Sequence, residues 1–149
     1  MAKIRVTKRF HFEMAHALPG YDGLCSNIHG HSYYLEMTVC GDPANVPGKS
    51  GDGMVIDFQC LKSLVKSTVT DKLDHSLMVR QSIEEVAKRA FEKVTERIYY
   101  VDFQPTTENI VLHIVDKIKP VLPEGITLHS VRLYETGTSY AEWYACDNP

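Results

Sequence analysis

Two stretches, Phe10-His11-Phe12-Glu13-Met14-Ala15-His16 and Cys25-Ser26-Asn27-Ile28-His29-Gly30-His31, decide how the rest of the chain is read. In the first, Phe10, Phe12, Met14 and His16 share one parity, and Ile4 and Val6 extend it backwards with a break at Lys8. Such alternation predicts a β-strand with one face buried, since successive side chains of a strand point to opposite sides. Leu18-Pro19-Gly20 ends it. In the second, His29 and His31 open a run in which Tyr33, Leu35, Met37 and Val39 also share a face. Two imidazoles two residues apart on a strand point the same way and can share one zinc ion. If the strands pair as a hairpin, His16 joins them. Three histidines then leave one metal position open, which is the pattern of catalytic rather than closed structural zinc sites.

Working outward, Gly41 to Gly53 is turn-rich and predicts a loop within one domain, residues 1–149. Asp57 caps a helix with Phe58, Leu61, Val65 and Val69 inward. Ser82-x-x-Glu85 reads as a capping box opening a helix to about Glu96, with Ile83, Val86, Ala87, Ala90, Phe91 and Val94 as its stripe. A third helix is capped at Thr106 or Thr107, carries Ile110, Val111, Ile114, Val115 and Ile118 inward, and stops at Pro120. Val131, Leu133 and Glu135 share a face of the next strand. Thr136-Gly137-Thr138 turns the chain into a last strand, Ser139 to Ala145. The order strand, strand, helices, strand, strand predicts an α+β domain with helices on one face of a four-stranded antiparallel sheet.

Composition narrows the partners. The chain has 149 residues, enough for one hydrophobic core, and a formal net charge of -3. That charge argues against general attraction to nucleic acid or an anionic membrane. No segment is apolar enough to span a bilayer, and Met1 to Val6 lacks the core of a secretion signal, so a cytoplasmic protein with reduced thiols is expected. Cys40 and Cys60 fall in apolar runs and read as core, whereas Cys25 stands among polar residues. It is either a fourth zinc ligand or a free thiol beside the cation, able to act as a base. Spacing leaves both open.

Two further signals carry chemistry. Asp74-His75 pairs a carboxylate with an imidazole, the elements of an acid–base relay, though such a dipeptide is also an ordinary helix end. Glu135 lies on the apolar parity of its strand, where a carboxylate is costly unless paired, and could grip the N–H edge of a heterocycle.

Taken in order, Phe10 to His16, Cys25-x-x-x-His29-Gly30-His31, Val55-Ile56-Asp57-Phe58, Leu73-Asp74-His75, Pro105-Thr106-Thr107-Glu108-Asn109 and Tyr134-Glu135-Thr136 resemble the 6-pyruvoyltetrahydropterin and 6-carboxytetrahydropterin synthase family along nearly the whole chain. The resemblance implies the tunnelling fold, with subunits joined into barrels, homo-oligomers built from trimers (a hexamer) and sites lying between subunits. It implies zinc on His16, His29 and His31, a catalytic thiol at Cys25, and a relay at Asp74 and His75. The same likeness puts a pterin-gripping carboxylate at Glu135, with Thr106, Thr107 and Glu108 near the ring. The implied substrate is 7,8-dihydroneopterin triphosphate. The three-residue gap between Cys25 and His29 is similar to the carboxy branch, which serves queuosine biosynthesis. The rivals are the pyruvoyl branch, a non-catalytic zinc module with Cys25 as fourth ligand, and a zinc hydrolase with Glu13 as base.

Overall fold

The computed structural model describes residues 2–149. Strands β1 (Ile4–His16) and β2 (His29–Gly41) form the long antiparallel hairpin that alternation predicts. Phe10, Phe12 and Met14 are buried on β1, and Tyr33, Leu35, Met37 and Val39 on β2, while the intervening residues are more exposed. β5 (Thr127–Thr136) pairs with β2 and β6 (Ser139–Tyr144) with β5, both antiparallel.

The sheet has six strands, not four, in the order β4-β3-β1-β2-β5-β6. The two extra strands, β3 (Ser76–Arg80) and β4 (Ile98–Val101), run parallel: β3 to the end of β1, and β4 to β3. Ser76 to Val79 are all buried, so β3 has no alternation to betray it.

Helix α1 (Phe58–Val65) starts where Asp57 Oδ1 accepts the backbone N–H of Gln59 at 2.6 Å. It continues through a π turn, Lys66–Thr70, into the short α2 (Asp71–Leu73). Leu61, Val65 and Val69 are buried as expected, but Phe58 is exposed beneath the Lys8 ammonium. Helix α4 (Thr107–Ile118) is capped by the Thr106 side chain and buries all five of its predicted inward residues. With the buried faces of β1, β2 and β5 it forms one core.

The helix predicted from Ser82 is shorter. α3 runs Glu85–Val94, and Ser82 caps nothing, because it is spent in the turn that follows β3. Its stripe is not inward either. No residue of α3 is buried, and Val86 and Val94 are 79% and 80% exposed. Cys60 is exposed as well, and all four cysteines are free. Among the described residues, no helix is long and apolar enough to cross a membrane.

Candidate metal centre and adjoining cavity

Hairpin register brings the histidines together. His16 lies directly opposite His29, and Met14 opposite His31. All three imidazoles therefore stand on the core-facing side of the last rungs, where their ligand atoms lie within 4.8 Å of one another. His16 Nδ1 lies 2.7 Å from the Pro105 carbonyl, and His29 Nδ1 lies 2.7 Å from the Asn27 carbonyl. A carbonyl can only accept, so each Nδ1 carries the proton and each Nε2 presents a lone pair. Those two Nε2 atoms are 3.1 Å apart. The Nε2 of His31 is buried without a hydrogen-bond partner; Glu135 Oε1 is 3.6 Å away, beyond bonding range.

That arrangement fits a cation. Converging lone pairs repel unless something positive lies between them, and a buried orphan nitrogen is unfavourable by about 1–3 kcal/mol. Burial pushes the His16 imidazole below the usual histidine range, against the opposing effect of the Pro105 carbonyl. His16 is 1% exposed, so the neutral, ligating form is the one the fold favours. Three converging imidazoles, two of them with carbonyl-fixed tautomers, suit zinc and leave a position for another ligand. Cys25 is not in the convergent group.

Cys25 sits in a short turn, Leu24–Ser26, on the loop joining β1 to β2. It lines a cavity of about 330 Å³ with Thr106, Thr107, Glu108, Glu135, Leu18, Tyr21, Ser139, Tyr140 and Ala141. Glu135 occupies a register shift between β5 and β6, where a bulge re-aims a side chain. Its Oε2 accepts the Thr107 hydroxyl. The carboxylate on the apolar parity is thus paired, as burial requires.

Asp74 and His75 do form a pair, with His75 Nδ1 3.0 Å from Asp74 Oδ1. Strand β1 grips both. The Glu13 N–H donates to Asp74 Oδ1 at 2.8 Å, and the Glu13 carbonyl accepts the His75 N–H at 2.6 Å. The first of these bonds is the main reason that the Asp74 carboxyl lies below its ordinary range, and His75 adds to it. His75 adopts φ 57°, an uncommon conformation for a side chain with a Cβ, and one found preferentially at functional sites. Within one chain, however, His75 lines a different cavity, of about 520 Å³, with His31, Glu13, Ser32 and residues of α3. The chain does not bring Asp74 and His75 into the Cys25 cavity.

Sequence reasoning missed Gln104 and the bond that the Pro105 carbonyl makes to His16. Gln104 Nε2 donates to the Pro19 carbonyl at 3.0 Å and its own carbonyl accepts Asn109 Nδ2 at 2.9 Å. Together with the Pro105 carbonyl on His16, these bonds tie the Cys25 loop, the histidines and the start of α4 into one unit. The visible signal was the X-Pro step before the Thr106 cap, which holds the segment extended.

Known proteins share this sequence pattern and fold. Residues 5–146 match the family profile described as 6-pyruvoyl tetrahydropterin synthase. The chain is 38% identical over 141 residues to a Haemophilus influenzae protein named 6-carboxy-5,6,7,8-tetrahydropterin synthase, covering 93% of this chain and 97% of that one. A Rickettsia bellii protein of the same name is 34% identical, with 93% and 99% covered. Among solved structures, 6-pyruvoyl tetrahydropterin synthase of Caenorhabditis elegans superposes with a TM-score of 0.70 at 24% identity, covering 97% of this chain and 96% of that one. The Plasmodium vivax enzyme gives 0.71 at 22%, covering 96% and 98%, and both matches speak for the fold. Near full-length identity, a shared fold and a histidine-ended hairpin converge on one assignment: the chain belongs to the 6-pyruvoyl tetrahydropterin synthase family.

Proposed function

We propose that the protein is a zinc-dependent lyase. It converts 7,8-dihydroneopterin triphosphate and water to 6-carboxy-5,6,7,8-tetrahydropterin, acetaldehyde and triphosphate, in the cytoplasm and for queuosine biosynthesis. The observation that carries this reading is the single cavity in which Cys25, Thr106, Thr107, Glu108 and Glu135 meet. The names of the relatives at 34–38% identity support the carboxy branch.

His16, His29 and His31 would hold the zinc, which when bound supplies Lewis-acid polarisation of substrate hydroxyls. Glu135, oriented by the Thr107 hydroxyl, accepts from the N–H edge of the pterin ring, and Thr106 and Glu108 border the same ring. Cys25 is the base that takes a proton from the polarised side chain. His75, steadied by Asp74, moves protons elsewhere on that side chain. Because His75 lines another cavity in its own chain and neither residue lines that of Cys25, the reading has a neighbouring subunit supply the pair. A homo-oligomer suits that need and the unpaired outer edge of β6; its trimer-based, hexameric form is what the family resemblance implies.

The pyruvoyl branch would use the same groups and stop before carbon–carbon cleavage. Product analysis after incubation with 7,8-dihydroneopterin triphosphate decides between them. Release of acetaldehyde with a 6-carboxy pterin is expected; a 6-pyruvoyl product without acetaldehyde would move the protein to the other branch, and no turnover at all would sink the enzymatic reading.

A further inference from the structure

Tyr21 is 55% exposed, on the loop that also carries Cys25. It lines the cavity that contains Glu135, but neither family motif nor strand pattern accounts for it. The cavity has a second tyrosine, and the contrast between the two is informative. Tyr140 is already engaged, with the Arg132 guanidinium 4.7 Å from its ring centre and Tyr134 tilted against it at 4.8 Å. Tyr21 has no aromatic or cationic neighbour and no side-chain hydrogen bond among the described residues. An aromatic face that has no partner and lines the same cavity as a paired carboxylate is free to receive a flat ligand.

The ring is also positioned rather than loose. Tyr21 N–H donates to Leu18 O at 3.1 Å, Gly23 N–H donates to Tyr21 O at 3.2 Å, and Leu18 N–H donates to Cys25 O at 3.0 Å. A Cβ added at Gly23 would stand 2.8 Å from Tyr21 Cε1. The ring therefore packs over Gly23, where a side chain would displace it. Gln104, bonded to Pro19 O, fixes the same loop to the segment that starts α4.

We infer that Tyr21 stacks on the flat face of the fused, N–H-bearing heterocycle whose edge Glu135 accepts, making it a specificity residue for the ring and not for its side chain. The inference rests on the pterin reading above. Stacking on an aromatic side chain contributes chiefly through the π face, so the hydroxyl is dispensable. Gly23 acts through Tyr21, by setting where the ring lies.

Unsubstituted pterin, which lacks any C6 side chain, is the probe, with its fluorescence titrated against zinc-loaded protein. Tyr21→Ala is expected to weaken pterin about tenfold, the size of a lost stacking contact. Tyr21→Phe and Tyr21→Trp should restore affinity, whereas Tyr21→Leu should not. Gly23→Ala should weaken binding in the wild-type background and change nothing further in Tyr21→Ala. Glu135→Gln is the control for the function itself. If pterin binds wild type and Glu135→Gln weakens it while Tyr21→Ala leaves it unchanged, the stacking role alone is overturned. If wild type ignores pterin altogether, both the stacking role and the proposed function fall.

Discussion

The two ends of the polar chemistry in this molecule are built on opposite principles. At the β1–β2 hairpin end, His16, His29 and His31 are held by strand register, and two of them by backbone carbonyls, over a fully packed core. Across the sheet, β3, α3 and β4 form an insertion whose helix buries nothing. Phe91 and Val94 of α3 line one cavity with Glu13, His31, Ser32 and His75. A ten-residue helix with no buried side chain gets little help from packing and is marginal by itself. The difference teaches that geometry needed to converge three ligands is bought with core packing, while the flank beside His75 is left loosely covered.

The sharpest way to break this comparison is to remove a ligand. His31→Ala should lose bound zinc and drop turnover to background, more than the ~10–100-fold that follows loss of an outer-shell partner. Phe91→Ala in α3 should leave metal content unchanged. Metal analysis of the two purified proteins is the check; full zinc in His31→Ala would remove the assignment of the histidines.

Cys25 separates the catalytic from the structural version of the same site. Cys25→Ala should keep its zinc and fall in turnover by roughly 10²–10⁴-fold, the usual contribution of a positioned acid–base group. Loss of metal together with the thiol would instead favour a closed, four-ligand centre.

Stability draws the third contrast. Ile114, fully buried on α4, should cost about 2–5 kcal/mol on truncation to Ala. Val86→Ala on α3 should stay within about 0.5 kcal/mol. Denaturant unfolding of each variant reads both values. A large effect at Val86 would mean that its exposed face is covered in the assembled protein.

These contrasts also follow what the sequence made legible. The hairpin could be read because a half-buried antiparallel strand alternates, and Phe10, Phe12, Met14 and His16 do so without interruption. α4 could be read because its cap, stripe and terminator agree. β3 and β4 could not, since they are short, and the buried run Ser76 to Val79 carries no period. The Ser82–Glu85 box misled, because local capping chemistry cannot tell that a turn after β3 claims Ser82 first. For the site, residue types and parity found the histidines and Glu135. The bond of His16 to Pro105 joins residues 89 positions apart, and the Glu135 bulge depends on β6 register, so neither is written locally.

The smallest expected effect concerns Asp74, and its sign is set by the direction of its shift. The Glu13 N–H and His75 favour the charged carboxylate in the folded chain, so its folded pKa lies below the unfolded one. Its contribution to stability is then present at all pH values above the unfolded carboxylate range of ~4, and is lost as pH falls through the lower, folded value. Asp74→Asn keeps an acceptor for the Glu13 N–H but not the charge. At neutral pH it should be slightly less stable than wild type, by no more than the ~0.2–1 kcal/mol typical of an exposed pair, since the Asp74 side chain is 44% exposed. The gap should close below pH ~4, where the wild-type carboxyl also becomes neutral. Over the same range turnover should respond differently. Asp74→Asn removes the charge that steadies His75, so its rate should already be low at neutral pH, where the stability difference is small. Urea unfolding at several pH values, run beside turnover, separates the two. A stability gap that persists or widens in acid would mean that the Asp74 carboxylate is not held in its charged form by β1.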